Sequence, residues 1–545
     1  MSIIDWIILC ATLLFIVLYG FYKSRTTKDL QGYFLNNRSM PWYLVLFGIM
    51  GTQASAVTYL TGPGQAYTDG LRFVQYYFGL PLAMVIISIF FVPIFNKLKV
   101  ITAYEFLENR FDLRTRSLTS FLFLVSRGLS TGISIYAPSL VLSSIMGWNI
   151  YFTNLIMGGV LIVYTLSGGA RAIAHTQKLQ MLVVFIALFI TGYLAVHLLP
   201  GSNGIREAIS EAGKNGRVNI ITTGMTENGF DWKDKYNIWS GLIGGFFLAL
   251  SYFGTDHSQV GRYIAASSVK ESRIGLLLNG FVKVPMQFFI LFLGILIFSF
   301  YQFHKAPVYF NDANRQLALA TPFASALNKI ENNYNLALQS GNRQEAATYK
   351  AAYKTTLQEA LPNIDINDNN YIFLKFVKEN LPVGLTGLLF AVIFISAWGS
   401  ISAALNSLAA CTVVDFHLKY FNKGGKLKNE YGVSKWYTLG WGIFSITVAM
   451  FTQNVGNTLI EAVNILGSIF YGVILGIFLI AFWIKGVGGK AVFSSAIISE
   501  LIVILVYRAD VVSFLWLNVI GAIAVIILGL IIQMFLPVEN KKAAL

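Results

Sequence analysis

The chain has 545 residues, of which 55% are hydrophobic and only 12% are charged. A soluble protein of this length carries about 25% charged residues, so the composition excludes an ordinary soluble protein and requires a surface that faces lipid. The net charge of +14 does not indicate a nucleic-acid partner, because the basic residues lie in short loops between apolar runs.

Apolar runs long enough to cross a membrane follow one another along the whole chain. A transmembrane helix needs about 20 apolar residues. The runs that approach this length lie at 4–22, 40–61, 73–96, 118–146, 150–167, 177–199, 239–256, 276–303, 383–417, 434–452, 456–483, 490–507 and 512–536. They predict an all-α, multi-pass inner-membrane protein with about 13 transmembrane helices. The first run is expected to be retained, since Asp5 flanks it and no small-residue cleavage site follows.

The loops alternate in charge. Lysine and arginine concentrate in every second loop, at 23–38, 97–116, 171–178, 262–273, 419–435 and 485–490, whereas the short loops opposite hold only Arg72 and Arg508. Because cytoplasmic loops carry the positive charge, this bias places the N-terminus outside the cytoplasm and the C-terminus inside. An odd number of spans requires the same arrangement.

Two external segments are longer than the rest. Residues 200–238 form a polar loop, and residues 304–382 have the periodicity of a small helical insertion that ends near Pro362. We expect the insertion to be a cover or spacer over the outer mouth, with docking of a partner protein as the alternative.

Two spans carry small and polar residues where lipid-facing helices carry leucine. These stretches are 48–56 (GIMGTQASA) and 241–256, which holds three glycines and ends in Ser-Tyr-Phe-Gly-Thr-Asp. Interrupted helices in corresponding positions of two halves indicate a transporter binding site. Their spacing fits a five-plus-five inverted repeat, 40–199 against 239–483, flanked by 1–39 and 484–545. Close helix packing through small residues is the alternative.

The ninth span contains a serine pair that could bind a cation. Ser396 and Ser400 are four residues apart and therefore share one helix face. Sodium prefers several oxygen ligands, and unwound carbonyls together with hydroxyls supply them without a buried carboxylate. Alternatively, these hydroxyls bond to their own helix backbone.

Six motifs carry a resemblance to a known family. They are YFLNNRSMPW at 33–42, TAYEFLENRFD at 102–112, IYAPSLVL at 135–142, SGGARAIAHTQKLQ at 167–180, GRYIAASSVKES at 261–272 and ALNSLAACTVVDF at 404–416. With them the chain resembles the sodium/solute symporter family, whose members have a LeuT-type core and one extra N-terminal helix. The resemblance implies alternating-access symport of a small solute, with Na⁺ as the coupling ion and no other cofactor.

The resemblance also implies a sodium site. Backbone carbonyls would come from Gly51, Ala54 and Ser396, and hydroxyls from the positions of Gly399 and Ser400. Gly399 lacks the hydroxyl that the family has there.

A second departure is Gln177, which stands where the family usually has an aspartate tied to cation passage. We therefore expect one sodium ion per cycle.

For the solute, the resemblance makes Tyr252 the inner gate and places Lys283 beside the substrate. Tyr77, Ala249 and Ser130 stand where sugar-carrying members have polar contacts, which argues against simple hexose recognition.

Charged residues at membrane depth are rare and usually functional. Arg127, with Ser130 one turn away, and Lys283 are such cations, and no buried carboxylate is obvious; Asp256 lies near the end of its span, where it pairs with a cation or with water. This pattern predicts an anionic solute, unless Arg127 extends to an interface or caps a helix. The predicted substrate-binding or gating residues are Gln53, Thr58, Tyr77, Arg127, Ser130, Tyr252, Lys283 and Asn464.

Two other interpretations stay open from the sequence alone. A proton-coupled or uncoupled carrier is favoured by Gly399 and Gln177, and a membrane solute sensor could keep the same fold. An enzyme is not expected, because HExxH, GxSxG, P-loop and paired-carboxylate motifs are missing from the sequence. The patterns favour neither a monomer nor an oligomer.

Overall fold

The computed structural model describes residues 1–24, 30–200, 204–362, 364–421, 430–452 and 458–537. Helices dominate this part of the chain. In chain order they are Ile3–Ser24, Leu30–Leu35, Trp42–Gln53, Ala56–Asp69, Leu80–Ile86, Val92–Leu98, Glu105–Arg110, Leu113–Met146, Ile150–His197, Gly204–Lys214, Gly245–Gly254, His257–Ile264, Val269–Phe303, Asp312–Leu319, Ala324–Gln339, Arg343–Ala360, Ile372–Asn380, Leu385–Cys411, Glu430–Phe451, Leu459–Trp483, Gly489–Ala509 and Phe514–Met534.

Shorter elements complete the described chain. Three 3₁₀ segments lie at Asn36–Arg38, Gly70–Tyr77 and Asn369–Tyr371, and three π-helical segments lie at Ile87–Phe91, Ser240–Gly244 and Thr412–Phe421. Two short antiparallel strands, Met225–Thr226 and Gly229–Phe230, form a hairpin in the loop 200–238.

Nine helical stretches of the described residues are long and apolar enough to cross a membrane, and two shorter apolar helices lie at Ile150–Leu166 and Ser240–Gly254. Each predicted run falls on one or more helical segments, so the all-α membrane prediction is confirmed, while the count of thirteen stays a prediction. Burial separates peripheral from central helices. In the most apolar 18 residues, 22% are buried in Ile3–Gly20 but 94% in Leu385–Phe421.

The second predicted span is interrupted, as expected. Trp42–Gln53 ends at Ala54, whose N–H donates to the Met50 carbonyl at 2.7 Å, and the chain continues as Ala56–Asp69 after an extended Ser55. We call these two segments the first broken helix. It runs to Asp69 rather than to residue 61.

The seventh predicted span is interrupted as well. Ser240–Gly254 is followed by Thr255 and Asp256, and then by the helix His257–Ile264. The Asp256 carboxylate caps this second segment by accepting from the Ser258 N–H at 2.8 Å. We call the pair the second broken helix. It extends eight residues past the predicted end at 256, because His257–Ile264 is polar in sequence yet entirely buried by protein.

The helix Ile150–His197 is sharply bent. Twelve residues of straight helix span about 18 Å, yet the Tyr164 hydroxyl lies 2.7 Å from Thr176 Oγ1. The helix therefore cannot be straight between these residues. This agrees with two antiparallel spans at 150–167 and 177–199, and it brings Gln177 and Gln180 to the interior.

The loops meet at two ends of the helix bundle. At one end Arg38 donates to the Val100 carbonyl, Arg110 donates to the Lys485 carbonyl, and Lys419 pairs with Glu108. We call this the basic end. At the other end Arg72 pairs with Asp234, and Lys235 with Glu461. We call this the insertion end.

The segment 304–382 builds a small unit of its own at the insertion end. Its helices Asp312–Leu319, Ala324–Gln339 and Arg343–Ala360 enclose a separate apolar cluster that includes Leu327 and Tyr353. Gly341, at φ +75°, divides the predicted helical stretch in two. A left-handed turn at this position favours glycine.

Candidate functional site

The break in the first broken helix lies against the helix Leu385–Cys411, which we call the serine helix. Gln177 joins them: its Nε2 donates to Thr52 Oγ1 at 3.2 Å and to the Gly399 carbonyl at 3.1 Å. A Cβ at Gly51 would lie 2.9 Å from Gln177 Cγ, and a Cβ at Gly399 would lie 3.3 Å from the same atom. The two glycines thus let both backbones approach one side chain.

The predicted sodium ligands surround this junction, but the serine hydroxyls are turned toward their own helix. Ser396 Oγ donates to the Val392 carbonyl at 2.7 Å, and Ser400 Oγ donates to the Ser396 carbonyl at 3.0 Å. Ala54, at the break, is completely buried. The hydroxyl oxygens keep lone pairs, since each acts only as a donor in these bonds. Binding of a cation by Gly51, Ala54, Ser396, Gly399 and Ser400 stays a prediction.

The missing side chain at Gly399 leaves room for a second glutamine. Gln180 Oε1 lies only 2.3 Å from the position that a Cβ at Gly399 would occupy. Gln177 Oε1 and Gln180 Nε2 are buried without a hydrogen-bond partner in the described residues. Two amide groups therefore occupy the space beside Gly399, and a buried amide oxygen without a partner is able to bind a cation.

A cavity of about 90 Å³ lies between the two broken helices and the helix Leu459–Trp483. This volume holds several water molecules or a small solute. Six of the eight predicted solute residues line it: Gln53, Thr58, Tyr77, Arg127, Tyr252 and Asn464. Aliphatic side chains form most of the rest of the wall, together with the aromatic rings of Tyr76, Phe253 and Tyr471.

Arg127 is the cation that lines this cavity in the described part of the chain, and it has a buried carboxylate partner. Its Nη2 bonds Asp256 Oδ2, which also accepts from the Tyr471 hydroxyl at 2.9 Å. A buried carboxylate thus lies beside Arg127 although none was obvious from the sequence, and of the two alternatives for Asp256 the structure shows pairing with a cation. Asp256 approaches Arg127 because the break in the second broken helix turns its carboxylate inward.

The ion pair uses only part of the guanidinium. Arg127 Nε is buried and has no hydrogen-bond partner in the described residues. The Arg127 Cζ also lies 5.3 Å from the centre of the Tyr252 ring. Asp256 thus binds the guanidinium through Nη2, while Nε has no partner and could donate to a ligand.

Tyrosines close the cavity on both sides. Tyr252 accepts from Gln259 Nε2 at 2.7 Å, toward the polar half of the second broken helix. On the other side the Tyr76 hydroxyl donates to Asn464 Oδ1 at 3.1 Å. A solute that enters or leaves would have to displace one of these contacts.

The other two predicted solute residues do not line the cavity. Ser130 Oγ donates to the Ser126 carbonyl at 2.7 Å. Lys283 is fully buried behind the wall, with its Nζ 5.5 Å from the centre of the Tyr77 ring and no hydrogen-bond partner in the described residues. It can therefore act on the cavity through its charge rather than through contact.

Sequence reasoning missed three residues of the site. Gln180 follows Gln177 by three residues and so shares its helix face, a signal that was available. Tyr76 precedes a predicted residue. Tyr471 carried no local signal, because an aromatic residue inside an apolar helix is usually a packing residue.

Comparison with known proteins decides the family. The model of the sodium:solute symporter family matches residues 33–325 and 350–499. The chain belongs to this family.

Several curated members of the sodium:solute symporter family are similar over almost the whole chain. The sodium/sialic acid symporter SiaT of Proteus mirabilis is 24% identical over 542 residues, covering 98% of this chain and 96% of that protein. The sodium/sialic acid symporter NanT of Aliivibrio fischeri is 24% identical over 531 residues, with 96% and 92% covered. The sodium-coupled monocarboxylate transporter 1 of Xenopus laevis is 24% identical over 484 residues, with 87% and 67% covered.

A solved structure of a Na⁺-coupled sialic acid symporter, in a substrate-bound outward-open state, shares the fold. Its TM-score is 0.78 at 23% identity, and the alignment covers 99% of this chain and 100% of the other. The fold is therefore the LeuT type with an extra N-terminal helix, as expected. As a member of the sodium:solute symporter family the protein is a sodium-coupled solute carrier of the membrane and not an enzyme.

Proposed function

We propose that this symporter takes up a small organic solute that bears a carboxylate, with one sodium ion per cycle. The observation that carries the proposal is the partly used guanidinium of Arg127 on the cavity wall. Arginine presents its donors in a planar fork that binds carboxylates through two parallel hydrogen bonds. With Nη2 bonded to Asp256, the partnerless Nε would be a donor for a solute carboxylate.

Charge balance supports an anion. Arg127 and Asp256 cancel, and a protonated Lys283 would add one positive charge behind Tyr77. A buried cation without a partner is costly in a membrane interior. A solute carboxylate in the cavity would compensate this charge.

The relatives support the same class of solute. Two of them are described as carriers of sialic acid, which is a carboxylate, and a third as a carrier of monocarboxylates. We therefore place the solute among sugar acids and monocarboxylates rather than neutral hexoses.

We propose that sodium binds where the carbonyls of Gly51 and Ala54 face the serine helix. Ser396 and Ser400 would complete the site after their hydroxyls rotate. Sodium there would join a broken helix that lines the solute cavity to its neighbour. Its binding and that of the solute would then favour each other by about 1–3 kcal/mol. A single ion is supported by Gln177, whose amide carries no charge.

We propose the orientation that the loop charges indicate, with the basic end in the cytoplasm and the insertion end outside. Uptake would then be driven by the sodium gradient and by the membrane potential, which contributes about 2.3 kcal/mol per charge per 100 mV. Tyr76 with Asn464 would form the outer contact over the solute, and Tyr252 with Gln259 the inner one. The orientation is tested with Gln344→Cys, an exposed position of the insertion, in a Cys10→Ala background. An impermeant thiol reagent applied to intact cells should label this cysteine.

The role of Arg127 is tested with a charge-matched pair of variants. Arg127→Gln alone leaves Asp256 buried and unpaired, so we compare it with the Arg127→Gln/Asp256→Asn double variant, which restores neutrality. Thermal shifts and uptake are measured with sialic acid, lactate, pantothenate and glucose, in sodium or choline. A charge-assisted bond contributes about 1.5–3 kcal/mol, so both variants should lose about 10–100-fold in affinity for the anion that binds.

The double variant separates recognition from folding. It should keep the melting temperature of the parent protein and its stabilisation by sodium while it loses the anion. If a folded double variant took up the anion with unchanged affinity, Arg127 would not recognise the solute. If only glucose stabilised the parent protein, the anionic class would be wrong.

A further inference from the structure

A second, larger cavity lies between the helical insertion and the insertion end of the bundle. It has a volume of about 650 Å³ and is bordered by the insertion helices Ala324–Gln339 and Arg343–Ala360, by the end of Val269–Phe303, and by the loop around Arg217. Its walls combine tyrosine and phenylalanine rings with polar side chains. It is distinct from the central cavity, because the two share no lining residue.

The charge of this cavity has one sign. Arg217, Lys305, Arg343 and Lys350 line it, and no aspartate or glutamate is among its described lining residues. Arg343 is neutralised by Glu211 at 2.6 Å. Three cations remain, and none of them forms an ion pair in the part of the chain that the structure describes.

Two of these cations are partly withdrawn from water. Arg217 Nε is buried without a hydrogen-bond partner in the described residues, and its Cζ lies 5.5 Å from the centre of the Phe298 ring. Lys350 Nζ lies 5.2 Å from the centre of the Phe310 ring. Burial lowers the pKa of both Arg217 and Lys350. The charges of Asp69 and Asp368 offset part of this burial, but neither carboxylate forms an ion pair with either cation in the described residues, so an anion beside these cations would stabilise them further.

The cavity adjoins the first broken helix, which also lines the central solute cavity. Tyr67, near the end of the first broken helix, lines the cavity and contacts Phe298 and Tyr301 through its ring. Arg217 also contacts this region, since its carbonyl accepts from the Leu71 N–H at 2.9 Å. A ligand in the cavity thus lies against the outer end of the first broken helix.

The family match leaves out part of the insertion half of this cavity. The family match stops at residue 325 and resumes at residue 350, so it leaves out most of Ala324–Gln339 and the start of Arg343–Ala360. The residues that cover the cavity, including Tyr334, Asn335 and Arg343, belong to that unmatched stretch.

We propose that this cavity is an external anion site, in which Arg217, Lys305 and Lys350 collect the carboxylate-bearing solute before it reaches the central cavity. The identity of the anion as the transported solute rests on the proposed function, whereas binding of a carboxylate does not. Opposite charges in a partly enclosed space raise the local concentration of a ligand and its association rate. The insertion forms the outer wall of that space.

A cysteine in the cavity wall tests the site without transport. Asn335→Cys is placed in a Cys10→Ala background, with buried Cys411 retained. Its reaction rates with anionic and cationic methanethiosulfonates are compared in sodium-free choline buffer on the full-length protein. The anionic reagent should react faster. Each charge removed by Arg217→Gln or Lys350→Gln should lower the ratio of the anionic to the cationic reaction rate by about threefold.

The matched control is Lys329→Gln, which removes the same charge from an exposed position of the same insertion helix outside the cavity lining. It should leave the ratio unchanged. Millimolar sialic acid should slow the labelling of Asn335→Cys, and its methyl ester should not. Sialic acid should no longer slow the labelling of Asn335→Cys when Arg217→Gln and Lys350→Gln are combined.

The outcomes separate this inference from the proposed function. Equal rates for the two reagents, or equal protection by acid and ester, would overturn the anion site even if an anion is transported. Protection that persists while Arg127 variants show no effect on anion affinity would retain the site and overturn the anionic solute of the central cavity. In Arg217→Gln/Lys350→Gln, uptake at low anion concentration should fall severalfold, while the maximal rate of uptake should stay unchanged.

Discussion

At the scale of single residues, two departures from the family pattern meet in space. Gly399 lacks an expected hydroxyl, and Gln177 replaces an expected acid. The structure places the Gln177 amide and Gln180 Oε1 beside Gly399. The amides thus fill the room that a larger side chain on the serine helix would need, and they supply neutral oxygens near the predicted sodium site.

Restoring the hydroxyl should strengthen sodium binding. In Gly399→Ser the new Cβ would lie 2.3 Å from Gln180 Oε1, the end of a flexible side chain that can move. An added oxygen ligand worth about 1 kcal/mol lowers the sodium concentration for half-maximal uptake by about fivefold. Gly399→Ala makes the same steric demand without the oxygen and serves as the control. Equal sodium curves for both variants would contradict the assignment of this position.

The sequence predicted Arg127 and allowed Asp256 to pair with a cation or with water, without deciding between them. An arginine inside an apolar span indicates function by its rarity alone. Asp256 lies 129 residues away along the chain, and which cation it meets depends on how the second broken helix turns at Thr255. Such pairing is a tertiary property that no local pattern contains.

At the scale of elements, the two breaks were predictable and the segments after them were not. Small and polar residues at 48–56 and 241–256 indicated the interruptions, since a lipid-facing helix does not carry them. The segment His257–Ile264 escaped prediction because its sequence is polar, whereas the spans were predicted from apolar runs. It is surrounded by protein, so its polar residues are tolerated at depth.

A charged network joins three elements near the basic end. Arg116 donates to Asp415 Oδ1 at 2.5 Å and 2.8 Å and pairs with Glu108, while Asp415 also accepts from Thr102 and Ser120. This network ties the start of Leu113–Met146 to the segment that follows the serine helix. Both Arg116 and Asp415 are buried.

Breaking this pair from one side should cost more than removing it. Asp415→Leu leaves a buried guanidinium with reduced compensation, a loss of about 3 kcal/mol, and should lower Tm by several degrees. Arg116→Met/Asp415→Leu removes both charges and should recover most of that loss. The melting curves of the purified variants provide the test. The single variant Arg116→Met completes the comparison. If the loss of stability in the double variant equalled the sum of the losses in the two single variants, the charges would not act as a pair.

At the scale of the whole molecule, composition and loop charge were sufficient for the membrane class, and the motifs were sufficient for the family. The helical insertion was also predictable from its periodicity. The cavity below it was not, because its walls come from segments that are distant in sequence, such as Arg217 and Lys350. The bounds of the inverted repeats, 40–199 and 239–483, stay a prediction, as does the count of spans.

The measurement that tests the account most directly is uptake into proteoliposomes that contain the purified protein. Uptake of labelled sialic acid, lactate, pantothenate and glucose is measured under an inward sodium gradient. In matched vesicles, sodium is replaced by choline or the sodium gradient by a proton gradient. The account predicts uptake of a carboxylate only with sodium, with a Hill coefficient for sodium near one, and its loss in Arg127→Gln/Asp256→Asn. Uptake of the same solute in choline, or uptake driven by protons alone, would contradict it.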